Sequence, residues 1–165
     1  HAAPGLLAGG SAYFGNAGQD GVGGAEVGVQ IVEGHVEWKR RGFELRALAV
    51  DAELDDVAKL NRALGLSGNR SISEKLRGGY VQAGYDFLAG GEPSLVPFAR
   101  WETFDTQARV PAGFVANPAN DVELLTVGLS YSPIPEVVWK LDYQDFENGA
   151  DTGVDQLNVA FGYVF

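Results

Sequence analysis

The chain has 165 residues, of which 12 are Lys or Arg and 22 are Asp or Glu, and its formal net charge is −10. Its length suits one domain, and the absence of cysteine excludes disulfides, thiolate nucleophiles and cysteine metal sites. The acidic balance argues against nucleic acid as a partner, because phosphate binding needs clustered Lys and Arg.

Apolar residues recur at every second position in eight segments of roughly ten residues, a period that predicts strands rather than helices. The predicted strands are, in chain order, 5–15, 27–39, 43–51, 78–88, 95–105, 123–132, 137–146 and 156–165. Within the long connection 52–77, Val57, Leu60 and Leu64 repeat at helical spacing, so we expect one short helix there. This helix either restricts the mouth of a barrel or caps its surface, and the sequence favours neither.

Short and long connections alternate along the chain. "RRG", "AGGEPS" and "PIPE" are short, whereas the connections between them are long and rich in glycine and acidic residues. Outer-membrane barrels have this layout, with tight periplasmic turns and long outer loops. No apolar run is long enough for a spanning helix, but strands that alternate need none. The expected fold is an all-β, antiparallel up-and-down transmembrane β-barrel.

Aromatic residues mark one end of the predicted strands. They lie beside the short turns, on the apolar face: Trp38, Phe43, Tyr85, Tyr131 and Trp139. A soluble barrel also alternates, with its apolar face inward. A belt of Trp and Tyr at one level, however, is typical of a membrane-water interface, because these rings are apolar in body and polar at the tip.

The charges around the first short turn select its register. Placing residues 41–42 at the centre of a two-residue hairpin supplies the glycine that such a turn needs. Lys39 then lies opposite Glu44, and Glu37 opposite Arg46, whereas a shifted centre would oppose two glutamates.

If the apolar face meets lipid, the other face lines the interior of the barrel. Its predicted charged lining comprises Glu33, His35, Glu37, Lys39, Glu44, Arg46, Asp86, Arg100, Glu102, Lys140 and Asp142. These residues form either a polar pore wall that sets ion preference, or internal salt bridges that fill a small barrel.

Other functional signals are weak. His35 stands between two glutamates, but the only other histidine is His1, so we expect no metal site. No Ser/His/Asp arrangement can be assembled without His35, and no cofactor motif is present. We therefore predict neither an enzyme nor a bound cofactor.

The segments "EGHVEWKRRGFELRA", "GGYVQAGYDFL", "LVPFARWETFD", "WKLDYQDFENG" and "LNVAFGYVF" resemble the C-terminal half of the phosphate-selective porin family of Gram-negative outer membranes. The resemblance implies a passive, trimeric diffusion channel surrounded by outer-membrane lipids and lipopolysaccharide. It also implies insertion by the barrel assembly machinery, which recognises a C-terminal strand ending in an aromatic residue, here Phe161, Tyr163 and Phe165. The basic constriction that confers phosphate selectivity on the family has no counterpart in this chain, so a general or cation-leaning pore fits better.

The sequence thus predicts a single barrel domain of the bacterial outer membrane, either complete with eight strands or the C-terminal half of a larger barrel. Its expected function is passive diffusion of small polar solutes or ions. The alternative is a small, non-conducting eight-stranded barrel with a structural or adhesive role through its acidic outer loops, because eight strands leave an interior that side chains fill.

Overall fold

The computed structural model describes residues 4–17, 21–89 and 91–164. These residues form one sheet of eight antiparallel strands, in which each strand pairs with its neighbours in sequence. The strands are β1 (Leu6–Asn16), β2 (Gly28–Arg40), β3 (Phe43–Leu54), β4 (Lys75–Tyr85), β5 (Ser94–Arg109), β6 (Asp121–Ile134), β7 (Val137–Asn148) and β8 (Gln156–Tyr163). The prediction of an all-β, up-and-down sheet of eight antiparallel strands is confirmed. β1 and β8 form its two edges and are not paired with each other in the described part of the chain.

The turn between β2 and β3 has the predicted register. Lys39 lies opposite Glu44, and Glu37 opposite Arg46. The two central residues have positive φ angles, 52° at Arg41 and 85° at Gly42, as a tight hairpin of this kind requires. The predicted charge pairing therefore selects the observed register.

β4 begins and ends three residues earlier than predicted, at 75–85 instead of 78–88. The carboxylate of Asp86 accepts hydrogen bonds from the backbone N–H groups of Leu88 and Leu95, at 3.0 and 3.1 Å, and so holds a turn where the apolar alternation continues. At the other end of the strand, Lys75 Nζ lies 2.9 Å from Asp51 and 3.3 Å from Glu53 on β3. These ion pairs accompany the extension of β4 to residue 75, which lengthens its pairing with β3.

The two ends of the sheet differ in their connections. At one end, called the turn end below, lie the connections 41–42, 86–93 and 135–136. At the other, called the loop end, lie 17–27, 55–74, 110–120 and 149–155. The predicted difference in length fails for one pair, since 86–93 is longer than 149–155. The turn built around Asp86 is the cause.

The predicted helix in the third connection is present as α1 (Val57–Ala63). Val57 and Asn61 are buried, and the Asn61 amide holds both backbone groups of Ile72, donating to its C=O at 2.8 Å and accepting from its N–H at 2.9 Å. The Lys59 ammonium donates to the Gly24 carbonyl of the first long connection. The helix thus lies against neighbouring loops at the loop end. Among the described helices, none is long and apolar enough to cross a membrane.

The sheet has little conventional apolar core. Among the described residues, the buried Ala, Val, Leu and Ile side chains are Ala25, Val27, Val57 and Val122, and Pro111 is buried as well. Two of the four, Ala25 and Val27, lie in the first long connection, and Val57 lies in α1. A globular domain of this length normally buries a much larger apolar set on one face of its sheet.

Candidate functional site on the polar face

The two faces of the sheet have opposite chemistry and an unusual pattern of exposure. Consecutive residues of β7 illustrate it: Leu141 is 48% exposed, whereas Asp142 is 6% exposed. On β6, Val127 is 45% exposed and the preceding Thr126 only 5%. We call the side that carries Asp142 and Thr126 the polar face, and the other side the apolar face. The polar face is the better covered of the two.

Charged side chains of β2 and β3 form a network on the polar face near the turn end. Arg46 Nε lies 3.0 Å from Glu37 Oε2, and Lys39 Nζ lies 3.3 Å from Glu37 Oε1. Glu44 lies within 4 Å of both cations. Each carboxylate therefore faces two cations. Farther along β2, His35 Nδ1 lies 3.0 Å from Glu33 Oε2.

Two further cations of the polar face are each held between a carboxylate and an aromatic ring. The Arg100 guanidinium lies 3.8 Å from the Tyr80 ring centroid, and its Nη2 is 2.6 Å from Glu102. Such cation–π contacts contribute about 0.5–2 kcal/mol, depending on how far the cation is desolvated. Arg100 and Glu102, both predicted for the interior lining, thus form an ion pair with each other.

The second such cation is Lys140, whose Nζ lies 4.8 Å from the Phe98 ring centroid and 3.5 Å from Asp142. Phe98 is on β5 and Lys140 on β7, with Gly128 of β6 between them. A Cβ at Gly128 would lie 2.7 Å from the Phe98 ring, so only glycine lets the ring cross β6. Asn158 of β8 donates to the Asp142 carboxylate at 3.0 Å.

Two predicted site residues require separate mention. Asp86, predicted to line the interior, follows β4 and holds the turn described above. Burial, the strongest single influence, raises the pKa of Asp86, but hydrogen bonds from the Leu95 and Leu88 backbone and from Ser94 outweigh it and lower the pKa below its ordinary value. Phe165 of the predicted insertion signal lies outside the described residues.

One feature of the polar face was not predicted. Directly opposite residues on six successive strands form an unbroken line of hydrogen-bonding side chains, called the polar row below. Its members are Arg46, Gln82, Arg100, Thr126, Gln144 and Gln156. The sequence shows these polar residues one strand at a time, each at an alternating position. Only the registers between neighbouring strands show that the six side chains lie side by side.

On the apolar face, the predicted interface aromatics lie at the turn end. The Phe43 and Tyr85 ring centroids are 4.7 Å apart, and the Trp139 and Phe161 centroids are 4.6 Å apart. Tyr131 lies directly opposite Trp139. Trp38 lies on the same face, opposite Leu45 of β3. The five predicted rings thus share one face and one end.

The apolar face becomes charged toward the loop end. The residues at this border and beyond it are Asp51, Glu53, Lys75, Arg77, Asp105, Asp121, Glu123, Asp145 and Glu147. Two aromatic residues mark this border: Trp101 donates through Nε1 to Glu123 at 2.7 Å, and the Tyr143 hydroxyl donates to Asp155 at 2.6 Å. The hydrogen bond from Tyr143, followed by one from the Phe146 backbone, lowers the pKa of Asp155. Sequence analysis missed both rings because they lie far from the short turns.

At the loop end, hydrogen bonds join the connections 55–74 and 110–120. Gln107 donates to the Ser71 carbonyl and accepts from the Asn117 backbone N–H at 2.6 Å. Val115 N–H donates to Gly68 O at 3.0 Å. Within residues 4–17, 21–89 and 91–164, no three His, Asp or Glu side chains are grouped so that they could hold a metal ion.

Comparison with known proteins gives one relative of unknown function. The chain is 26% identical over 142 residues to an uncharacterized protein of Aquifex aeolicus (strain VF5), in a match that covers 81% of this chain and 33% of that protein. The chain thus spans about a third of the length of the curated relative that it matches. No protein-family model and no solved structure matches it.

Proposed function

We propose that the sheet is the wall, or part of the wall, of an outer-membrane β-barrel, and that its polar face lines a channel for passive diffusion of small polar solutes or ions. The observation that carries this proposal is the reversed polarity of the sheet: large apolar side chains are exposed, while Asp142 and Thr126 beside them are covered. In water this arrangement is unfavourable, at about 25 cal/mol per Å² of exposed apolar surface. In a bilayer the same arrangement is favourable.

The dimensions of the apolar face support a membrane. On β6 the distance from Tyr131 to the charged border at Glu123 is eight residue steps, and on β7 the distance from Trp139 to the border at Asp145 is six steps. These correspond to about 20–27 Å along the strand, before any tilt. Outer-membrane barrels carry an apolar band about 25 Å tall, and the outer membrane is thinner than average.

Aromatic residues border this band at both levels. Trp139 and Tyr131 lie at the turn end, whereas Trp101 and Tyr143 lie at the charged border with their polar atoms bonded to carboxylates. Two aromatic girdles around an apolar band are typical of membrane barrels. In this orientation the turn end faces the periplasm, and the loops with α1 face outward.

The two unpaired edges of the sheet, β1 and β8, bear on how the barrel closes. In a membrane, an open edge would leave backbone N–H and C=O groups without partners, which is strongly unfavourable. We therefore propose that β1 and β8 pair in the membrane, either with each other or with further strands. The greater length of the Aquifex aeolicus relative is compatible with the second arrangement. The trimer, lipopolysaccharide contacts and recognition by the barrel assembly machinery remain predictions.

Conductance tests the channel directly. The chain, folded in detergent and added to a planar bilayer, should give stepwise openings. Lys140→Glu should shift the reversal potential in a KCl gradient toward cation preference, because Lys140 lies on the polar face. Arg70→Glu, the matched charge reversal in an exposed loop, should shift it less. A stably inserted but silent protein, or equal shifts in both variants, would contradict the proposal.

A non-conducting barrel with a structural or adhesive role is the second candidate. It is favoured by the joined loop layer, in which Lys59 and Gln107 tie separate connections together, and by the compensated charges of the polar face. The same bilayer recording separates the two candidates. A protein that stays monodisperse without detergent would contradict both.

A further inference from the structure

We infer that the polar row binds a neutral, hydroxyl-rich solute, a small saccharide or polyol, on the polar face between β3 and β8. This inference rests on the proposed channel, because only a solute inside the barrel reaches this face. The row crosses six strands, so at about 4.8 Å per strand it extends over roughly 24 Å, enough for more than one sugar ring.

The first argument is that the row contains unused hydrogen-bonding capacity. In the part of the chain that the structure describes, the amides of Gln82, Gln144 and Gln156 form no side-chain hydrogen bond. Arg100 Nε is buried and without an acceptor. Amides offer donors and acceptors side by side, as a hydroxyl needs.

The second argument is that the charges of the row are already compensated. Arg100 is 2.6 Å from Glu102, and Arg46 lies within 4 Å of Glu37 and Glu44. A phosphate or carboxylate solute would meet these carboxylates as well as the guanidiniums. A cation would meet guanidiniums that the same carboxylates hold in place. A neutral solute with many hydroxyl groups matches paired charges and free amides.

The third argument is that apolar groups flank the row on both sides. On the turn side, the neighbouring positions of β4 and β6 are Gly84 and Gly128, and the side chains of Val96 and Phe98 lie against them. On the loop side, they are apolar or aromatic, as at Leu124 and Phe146. Ligand sites commonly combine apolar walls with a few well-placed polar groups.

The test uses sucrose as the neutral probe and sodium phosphate as the anionic one. With the chain reconstituted in a planar bilayer, millimolar sucrose should produce concentration-dependent interruptions of the ionic current. Gln144→Ala should weaken this block about 2- to 10-fold, the effect of losing one or two hydrogen bonds. Gln30→Ala, the matched control on the apolar face, should leave the block unchanged.

A second readout keeps this inference distinct from the channel itself. Saturation-transfer NMR on the chain folded in micelles measures sucrose binding without any current. Binding that Gln144→Ala weakens, in a protein that does not conduct, would support the polar row and contradict the channel. Open channels without sucrose block or binding, equal effects of both variants, or a block by phosphate that exceeds that by sucrose would overturn the inference.

Discussion

The reversed polarity of the sheet predicts that a carboxylate on the apolar face is far more damaging than the same carboxylate one step away on the polar face. Leu141 is the site of choice. It lies on β7 directly opposite Leu129 and Val159, both apolar, and it is 48% exposed. Replacing it with Asp places a charge within the apolar band, four residues from the border at Asp145.

The expected loss follows from the cost of charge in hydrocarbon. Basic residues at the midplane of a barrel wall cost about 2–4 kcal/mol and acidic residues less, so Leu141→Asp should lower the free energy of unfolding by about 2–3 kcal/mol. This is roughly a 30- to 150-fold change in the unfolding equilibrium. If the apolar face met water, the same half-exposed position would change stability by about 0.5 kcal/mol.

The assay is urea unfolding of the chain in phosphatidylcholine vesicles, followed by tryptophan fluorescence. Ala160→Asp is the matched control: Ala160 is exposed on the polar face and lies directly opposite Lys140. An opposite-charge pair there should stabilise by about 0.2–1 kcal/mol. A loss below about 0.5 kcal/mol for Leu141→Asp, or equal losses in both variants, would refute the assignment of the apolar face to lipid.

Three further predictions concern the connections. Gly42→Ala should destabilise the chain by about 1–2 kcal/mol in the same unfolding assay, because φ is 85° there, whereas Gly34→Ala, in open space, should cost much less. The pKa of Asp86 in the folded chain lies below the ordinary 3.8, so the stabilisation by its carboxylate is complete above pH 3.8 and is lost as the pH falls through the folded pKa. Asp86→Ala should therefore remove this acid-side pH dependence of the unfolding midpoint. An unchanged pH profile would contradict the role of the carboxylate. Asn61→Ala removes both hydrogen bonds to the Ile72 backbone. It should therefore speed proteolysis of the connection 55–74 and hydrogen exchange at the Ile72 amide. Asn69→Ala, at an exposed residue of the same connection, should have neither effect.

The strands and the register of β2 with β3 could be predicted because they depend on local signals in the sequence. Alternation gave the number and order of the strands, and the charges beside residues 41–42 gave the pairing of β2 with β3. The end of β4 could not be predicted in this way. "YDFL" continues the alternation, and only the hydrogen bonds from Leu88 and Leu95 to Asp86 show that the strand has ended.

The inward charges of the site were predicted, but their arrangement and the polar row were not. Sequence analysis identified Arg100, Glu102, Lys140 and Asp142 as inward charges, and the structure places them on the polar face. The aromatic partners and the polar row depend on registers between strands far apart in the chain. Gly128, for example, has no distinguishing mark in the sequence, yet it lets Phe98 reach Lys140 across a strand.

The strictly sequential order of the eight strands has a consequence for how such a sheet can assemble and grow. Each strand pairs only with the strands before and after it in the chain. Pairing can therefore proceed hairpin by hairpin, and each step closes only the one connection between two successive strands, which keeps its entropic cost low. For the same reason, adding or removing one hairpin at either edge disturbs a single ladder and preserves the direction of every remaining strand. The hairpin, rather than the whole sheet, is the unit by which a chain of this design can be lengthened.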